Sequence, residues 1–123
     1  MPESLTPIPL AFWRSAAGRE PVREWLSDLP REDKRSIGRD IAKVQFGWPV
    51  GLPLCRPMSG GLWEVRSALP SKRQARVFFG FHDGKLIALH AIIKKAQKTP
   101  AEELALAKQR LKEVQLWREK TRT

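Results

Sequence analysis

The dipeptide Asp83-Gly84 constrains this chain more than any other feature. It lies between the apolar runs Arg76-Val77-Phe78-Phe79 and Leu89-His90-Ala91-Ile92-Ile93. A two-residue type I′ turn needs positive φ at both central positions, and Asp-Gly tolerates both. Counting outward from that turn sets a register. His82 faces Lys85, Phe79 faces Ala88, Val77 faces His90 and Arg76 faces Ala91. Side chains alternate along a strand. One face is therefore expected to carry Val77, Phe79, Phe81, Leu86, Ala88, His90 and Ile92. The other is expected to carry Arg76, Phe78, Ile87, Leu89, Ala91, Ile93 and, at its end, Lys95.

A third run, Leu62-Trp63-Glu64-Val65-Arg66, comes just before. Trp63 and Val65 fall on one face, and Leu62, Glu64 and Arg66 on the other. Matching the apolar faces of the three strands gathers Arg66, Arg76 and Lys95 together, with Glu64 beside them. Fixed cations around a carboxylate can bind a phosphate and act on it. The loop over residues 67–74 carries Lys72 and Arg73 at its tip. These either reach backbone phosphates or serve as solubilising charge.

Charge supports this focus. The net charge is +10, and residues 61–99 hold eight basic and two acidic side chains. The flanking stretches hold nine against seven (residues 1–60) and six against four (residues 100–123). A localised basic surface is the electrostatic footprint of a polyanion, most often nucleic acid. At 123 residues the chain is read as a single domain, 1–123. No run is long enough for a membrane helix. The start, Met1-Pro2-Glu3-Ser4, lacks the pattern of a signal peptide. One cysteine, Cys55, excludes an internal disulfide and fits a reducing compartment, so a cytoplasmic location is expected. Cys55 has no histidine partner at a readable spacing and reads as a tolerated thiol. No ligand cluster points to a metal or cofactor.

The remaining elements follow from punctuation. Residues 8–13 are apolar behind Pro7 and Pro9, which reads as a strand beginning at a sheet edge. Pro21 opens a helix with Val22, Trp25, Leu26 and Leu29 at helical spacing, closed by Pro30. A second helix follows, with Glu32 and Asp33 in its first turn and a stripe of Ile37, Ile41 and Val44. Gly47 is expected to cap it. Residues 48–61 are rich in proline and glycine and read as a loop. Thr99-Pro100 with Glu102 is a capping box for a last helix, striped by Leu104, Ala107, Leu111, Val114 and Trp117. The polar tail 118–123 is expected to fray. The expected fold class is α+β: an N-terminal strand, a helical hairpin, a three-stranded meander and a C-terminal helix around a small antiparallel-rich sheet.

These pieces resemble the RelE/HigB superfamily of toxins, in its phage-derived HigB-like branch. The matching motifs are Leu62-Trp63-Glu64-Val65-Arg66, Arg76-Val77-Phe78-Phe79 and, above all, the run from Leu89 through Lys94-Lys95-Ala96-Gln97-Lys98-Thr99-Pro100. The resemblance implies a RelE-like, microbial-RNase-type fold. It also implies an endoribonuclease toxin of a type II toxin–antitoxin pair that cuts mRNA on the ribosome and inhibits translation. It implies a neutralising antitoxin partner, often a helix-turn-helix DNA-binding protein. By position, Arg66 and Arg76 correspond to the basic residues of the second and third family strands, and Lys95, with Lys94, to the one ending the last strand. Lys98 follows closely. Some relatives use a C-terminal tyrosine, and this sequence has none.

RNA carries its own nucleophile, so metal-independent cleavage asks only for in-line positioning, charge stabilisation and proton transfer. Arg66, Arg76 and Lys95 suit the charge role. Lys94, Lys98, Lys72 and Arg73 are candidate RNA contacts. The base is either Glu64 or a lysine whose pKa its cationic neighbours depress. Glu64 can equally be an ion pair that spaces the arginines. His90 reads as a hydrogen-bonded core histidine. The alternative function is a non-catalytic basic RNA- or ribosome-binding module, a degenerate toxin.

Overall fold

The computed structural model describes residues 6–94 and 100–122, with side chains as far as Trp117. The expected capping box at Thr99 and the candidate residues Lys95 and Lys98 lie outside the described residues. The elements run β1 (Leu10–Phe12), α1 (Pro21–Ser27), α2 (Arg31–Gly47), β2 (Cys55–Pro57), β3 (Trp63–Ala68), β4 (Gln74–His82), β5 (Lys85–Lys94) and α3 (Ala101–Arg122). The strands form one mixed sheet in the order β1-β5-β4-β3-β2. The fold is the expected small α+β architecture. The sheet has one strand more than the sequence showed, because β2 pairs antiparallel with β3 inside the stretch read as loop.

Helices cover both faces. On one, α1 and α2 bury Val22, Ile37, Ile41 and Val44 against Val65, Val77, Phe79, Leu86 and Ala88. Trp48 meets the rings of Trp63 and Phe79 edge-on, at 4.7 and 5.8 Å. On the other, α3 packs Ala107, Leu111 and Val114 on Leu62, Phe78, Ile87 and Leu89. β1 runs parallel to β5 at the sheet edge, as its prolines required. The last helix continues to Arg122, further than its polar composition indicated. Gly47 is the last residue of α2, and Trp48 takes the cap position with φ of −58°.

The Asp83-Gly84 turn forms as expected, with φ of 54° and 76°. His82 pairs with Lys85 and Phe79 with Ala88. Beyond that point the counted register fails. Phe78 pairs with His90, so Leu89 is an extra residue on β5, a bulge. One inserted residue exchanges the two faces for everything after it. His90 therefore joins Phe78, and Ile92 pairs with Arg76 and Lys94 with Gln74. Ala91 and Ile93 turn to the α1–α2 core. A bulge leaves its extra residue outside the regular ladder. Here Arg110 Nη1 of α3 donates to the Leu89 carbonyl at 2.9 Å, and the same guanidinium lies over the Trp13 ring at 4.2 Å.

Helix α3 can approach β4 closely because residue 80 is glycine. A Cβ there would stand 2.6 Å from Leu111 Cδ1, and Leu111 is buried in the α3 core. Gly80→Ala is expected to destabilise the fold by about 1–3 kcal/mol through overpacking. The cost should shrink in a Leu111→Ala background, where the colliding methyl is gone. Urea melts of the four-member cycle measure both.

Candidate anion site on the sheet

The register sets a row of charge across the face that α3 covers only in part. Arg56 on β2 pairs with Glu64 on β3, Arg66 on β3 pairs with Arg76 on β4, and Lys94 ends β5. Residues directly opposite in an antiparallel pair share a face. Arg56, Glu64, Arg66, Arg76 and Lys94 are therefore on the same side of the sheet. Arg66 and Arg76 gather there as expected. Lys94 takes the place on that face that the count gave to Lys95, because the Leu89 bulge reverses the parity of β5. Arg56 was missed, since a strand of three residues ending in proline carries no readable alternation.

Arg76 is the centre. Its side chain is 2% exposed, and its Nε makes no hydrogen bond. The guanidinium donates long bonds of 3.3 Å to the Ala75 carbonyl and to Gln74 Oε1. Glu64 Oε1 lies 3.6 Å from Arg76 Nε and 3.7 Å from Arg66 Nε, and Glu64 itself is buried. One carboxylate thus stands between two guanidiniums that face each other across the ladder. Like charges directly opposite are unfavourable. Burial pulls the Arg76 guanidinium below its ordinary range, Glu64 acts against that, and Arg66 and Arg56 add to it. Arginine remains charged all the same. The Lys94 ammonium is likewise lowered, by burial first and then by Arg76 and Arg66.

The arrangement is suited to an anion in a definite way. Arg66 is part-exposed and presents a planar fork. Arg76 has already lost its hydration, and an incoming phosphate oxygen would meet a donor that lacks a partner. Four cations against one carboxylate leave the row with a surplus of positive charge. Among the described residues no three histidine, cysteine or acidic side chains cluster as metal ligands would.

The other candidates fall elsewhere. Arg73 is tied to α2: its Nη2 donates to Asp33 Oδ2 at 3.1 Å, while the Ser71 N–H donates to Asp33 Oδ1. It fixes the β3–β4 loop, with part of its side chain left to solvent. Lys72 is exposed at the loop tip with φ of 67°. His90 was placed on the Val77 face by the count. It is instead on the Arg76 face, stacked near Phe78 with Nε2 against Glu103 Oε1 of α3. Cys55 is fully buried, and burial with Asp40 nearby pushes its thiol up to about 11. That excludes a ready thiolate at neutral pH.

Glu64→Gln is expected to destabilise the chain by about 3 kcal/mol, because it leaves Arg76 buried and facing Arg66 without a counter-charge. Inorganic sulfate should raise the melting temperature of that variant more than that of the parent. Asp33 gives a separate pH signature. Its carboxyl is held below its usual value: burial pushes it up, but the bonds from Ser71 and Arg73 outweigh that. A folded pKa below the unfolded one contributes stability that is complete above the unfolded value and lost as pH falls through the folded value. Asp33→Asn should therefore melt lower at pH 7 and show a shallower loss of stability below about pH 4.

No curated protein matches the chain. A family model described as "Phage derived protein Gp49-like (DUF891)" matches residues 24–112, which hold all five members of the charged row. With most of its length and the whole anion site inside that match, the chain belongs to the phage-derived Gp49-like family.

Proposed function

We propose that this chain is the toxin of a type II toxin–antitoxin pair and an mRNA endoribonuclease of RelE/HigB type, acting on the ribosome. The Gp49-like family is toxin-like and associated with toxin–antitoxin systems. The observation that carries the reading is the buried, incompletely bonded Arg76 facing Arg66 across one carboxylate. A permanent cation held out of water is costly unless an anion repays it, and a scissile phosphate is such an anion.

In this reading Arg66 and Arg76 grip the non-bridging phosphate oxygens and gain strength as charge collects there. Arg56 holds the neighbouring backbone. Lys94, lowered by burial and then by its cationic neighbours, is the side chain best suited to take the 2′-hydroxyl proton. The 2′-oxygen bonds to phosphorus as its proton passes to the Lys94 amine, the bond to the 5′-oxygen breaks, and that oxygen leaves with a proton taken from water. The products are a 2′,3′-cyclic phosphate and a 5′-hydroxyl. Glu64 spaces the arginines. Lys95 and Lys98 add charge along the same stretch of sequence, and a helix-turn-helix antitoxin is the expected partner. The engagement of Glu64 by both arginines also favours a second reading, a basic ribosome-binding module that does not cut.

Induction in a bacterial host, with growth followed and mRNA 5′ ends mapped, separates the two. The expected outcome is arrest with new cuts inside translated frames. Both should be lost in Arg76→Ala and reduced about 100-fold or more in Arg66→Ala. Arg66 is part-exposed, so that variant keeps its fold and decides the matter if Arg76→Ala unfolds. Arrest without cuts would establish the binding module.

A further inference from the structure

The sheet ends on β1; Gln45 of α2 takes the outward main-chain groups of Ile8, and beyond that point the edge opens onto a groove. Leu86 N–H donates to the Pro9 carbonyl and Trp13 N–H to the Ala88 carbonyl, so Pro9, Ala11 and Trp13 direct their main-chain groups at β5. Alternation turns the N–H and C=O groups of Leu10 and Phe12 the other way, out of the sheet. Among the described residues nothing bonds to these groups, and open ladder groups recruit another strand. The groove holds about 790 Å³ between the start of α1 and the last turns of α3. Leu116, 48% exposed, and Trp117 form one wall. Arg14 and Arg23 form the other and share a single carboxylate, Glu20. Two cations on one anion leave that wall positive, while Glu113 makes the α3 wall acidic.

We propose that this groove binds an extended segment of a partner protein, which adds to β1 as a strand. Its main chain bonds to Leu10 and Phe12. Its apolar side chains rest on Leu116 and Trp117, and a carboxylate lies by Arg14 and Arg23. Alternating donors and acceptors at strand spacing suit a polypeptide and not a nucleic acid. Every described residue lining the groove lies outside the stretch 24–112 that the family model matches. The partner's identity is therefore set by this chain's own flanks. The proposal stands on main-chain geometry and does not depend on RNA cleavage.

The test is selection of displayed random peptides on the full chain. Enriched peptides should alternate apolar residues with Asp or Glu. A synthetic copy should slow amide exchange at Leu10 and Phe12. Binding should weaken about tenfold or more in Leu116→Glu, which places a like charge on an exposed wall. It should weaken as well in Leu10→Pro, which removes one outward N–H where an edge tolerates proline. Leu116→Glu should inhibit growth as the parent does, which separates this surface from the anion site. The proposal is overturned by equal binding to Leu116→Glu, by no enrichment, or by protection at Arg76 instead of β1. A dimer of the chain that protects Leu10 and Phe12 would also overturn it, since the occupant would then be a second copy.

Discussion

One hydrogen bond from α3 accompanies the step on which the rest of β5 depends. Leu89 is an extra residue, and an extra residue leaves polar main-chain groups outside the ladder. Buried main-chain groups must find partners. The Leu89 carbonyl finds Arg110, whose guanidinium is itself held over Trp13. The last helix and the bulge are therefore matched parts. Regular pairing would set His90 and Ile92 in the α1–α2 core and take Lys94 off the face of Arg76.

The second constraint is electrostatic. Arg76 is buried between the apolar Phe78 and Ile92 and the charged Arg66 and Glu64, and on stability alone such a buried position favours leucine or valine. Glu64 makes the arginine tolerable without fully satisfying it, since both contacts are longer than a hydrogen bond. Arg73 meets a different fate through the opposite geometry. Asp33 accepts from it and from the Ser71 amide at hydrogen-bond distance, and that cation becomes a strut between α2 and the β3–β4 loop. Two arginines of one hairpin thus divide into an incompletely bonded cation and a tie, according to how completely a carboxylate engages each.

That division was not readable in advance. The helices, the hairpin turn and the parity of Glu64, Arg66 and Arg76 were, because each depends on local rules: proline at a helix start, Asp-Gly at positive φ, alternation over three to six residues. The bulge was not, because Leu89 looks like any strand leucine and the donor to its carbonyl, Arg110, lies far along the chain on α3. β2 was not, because Cys55–Pro57 is too short to show a period and is ordered by β3 alone. Arg56 was lost with it. Where the count failed, it failed by one residue. That was enough to exchange Lys94 for Lys95 and to move a histidine from one face of the sheet to the other.

Helix α3 joins the two surfaces that this geometry creates. It meets His90 through Glu103 near its start, Leu89 through Arg110 at its middle, and the β1 groove through Trp117. On β5 the groove lies beside Leu86–Ala88, while the cations end at Lys94, some 20 Å further along the strand. A segment lying on β1 would not need to touch the anion site. Any influence on that site would have to pass through α3 and its hold on the bulge. Because a bulged and a regular β5 are discrete arrangements, such an influence would act on the register that places Lys94 beside Arg76.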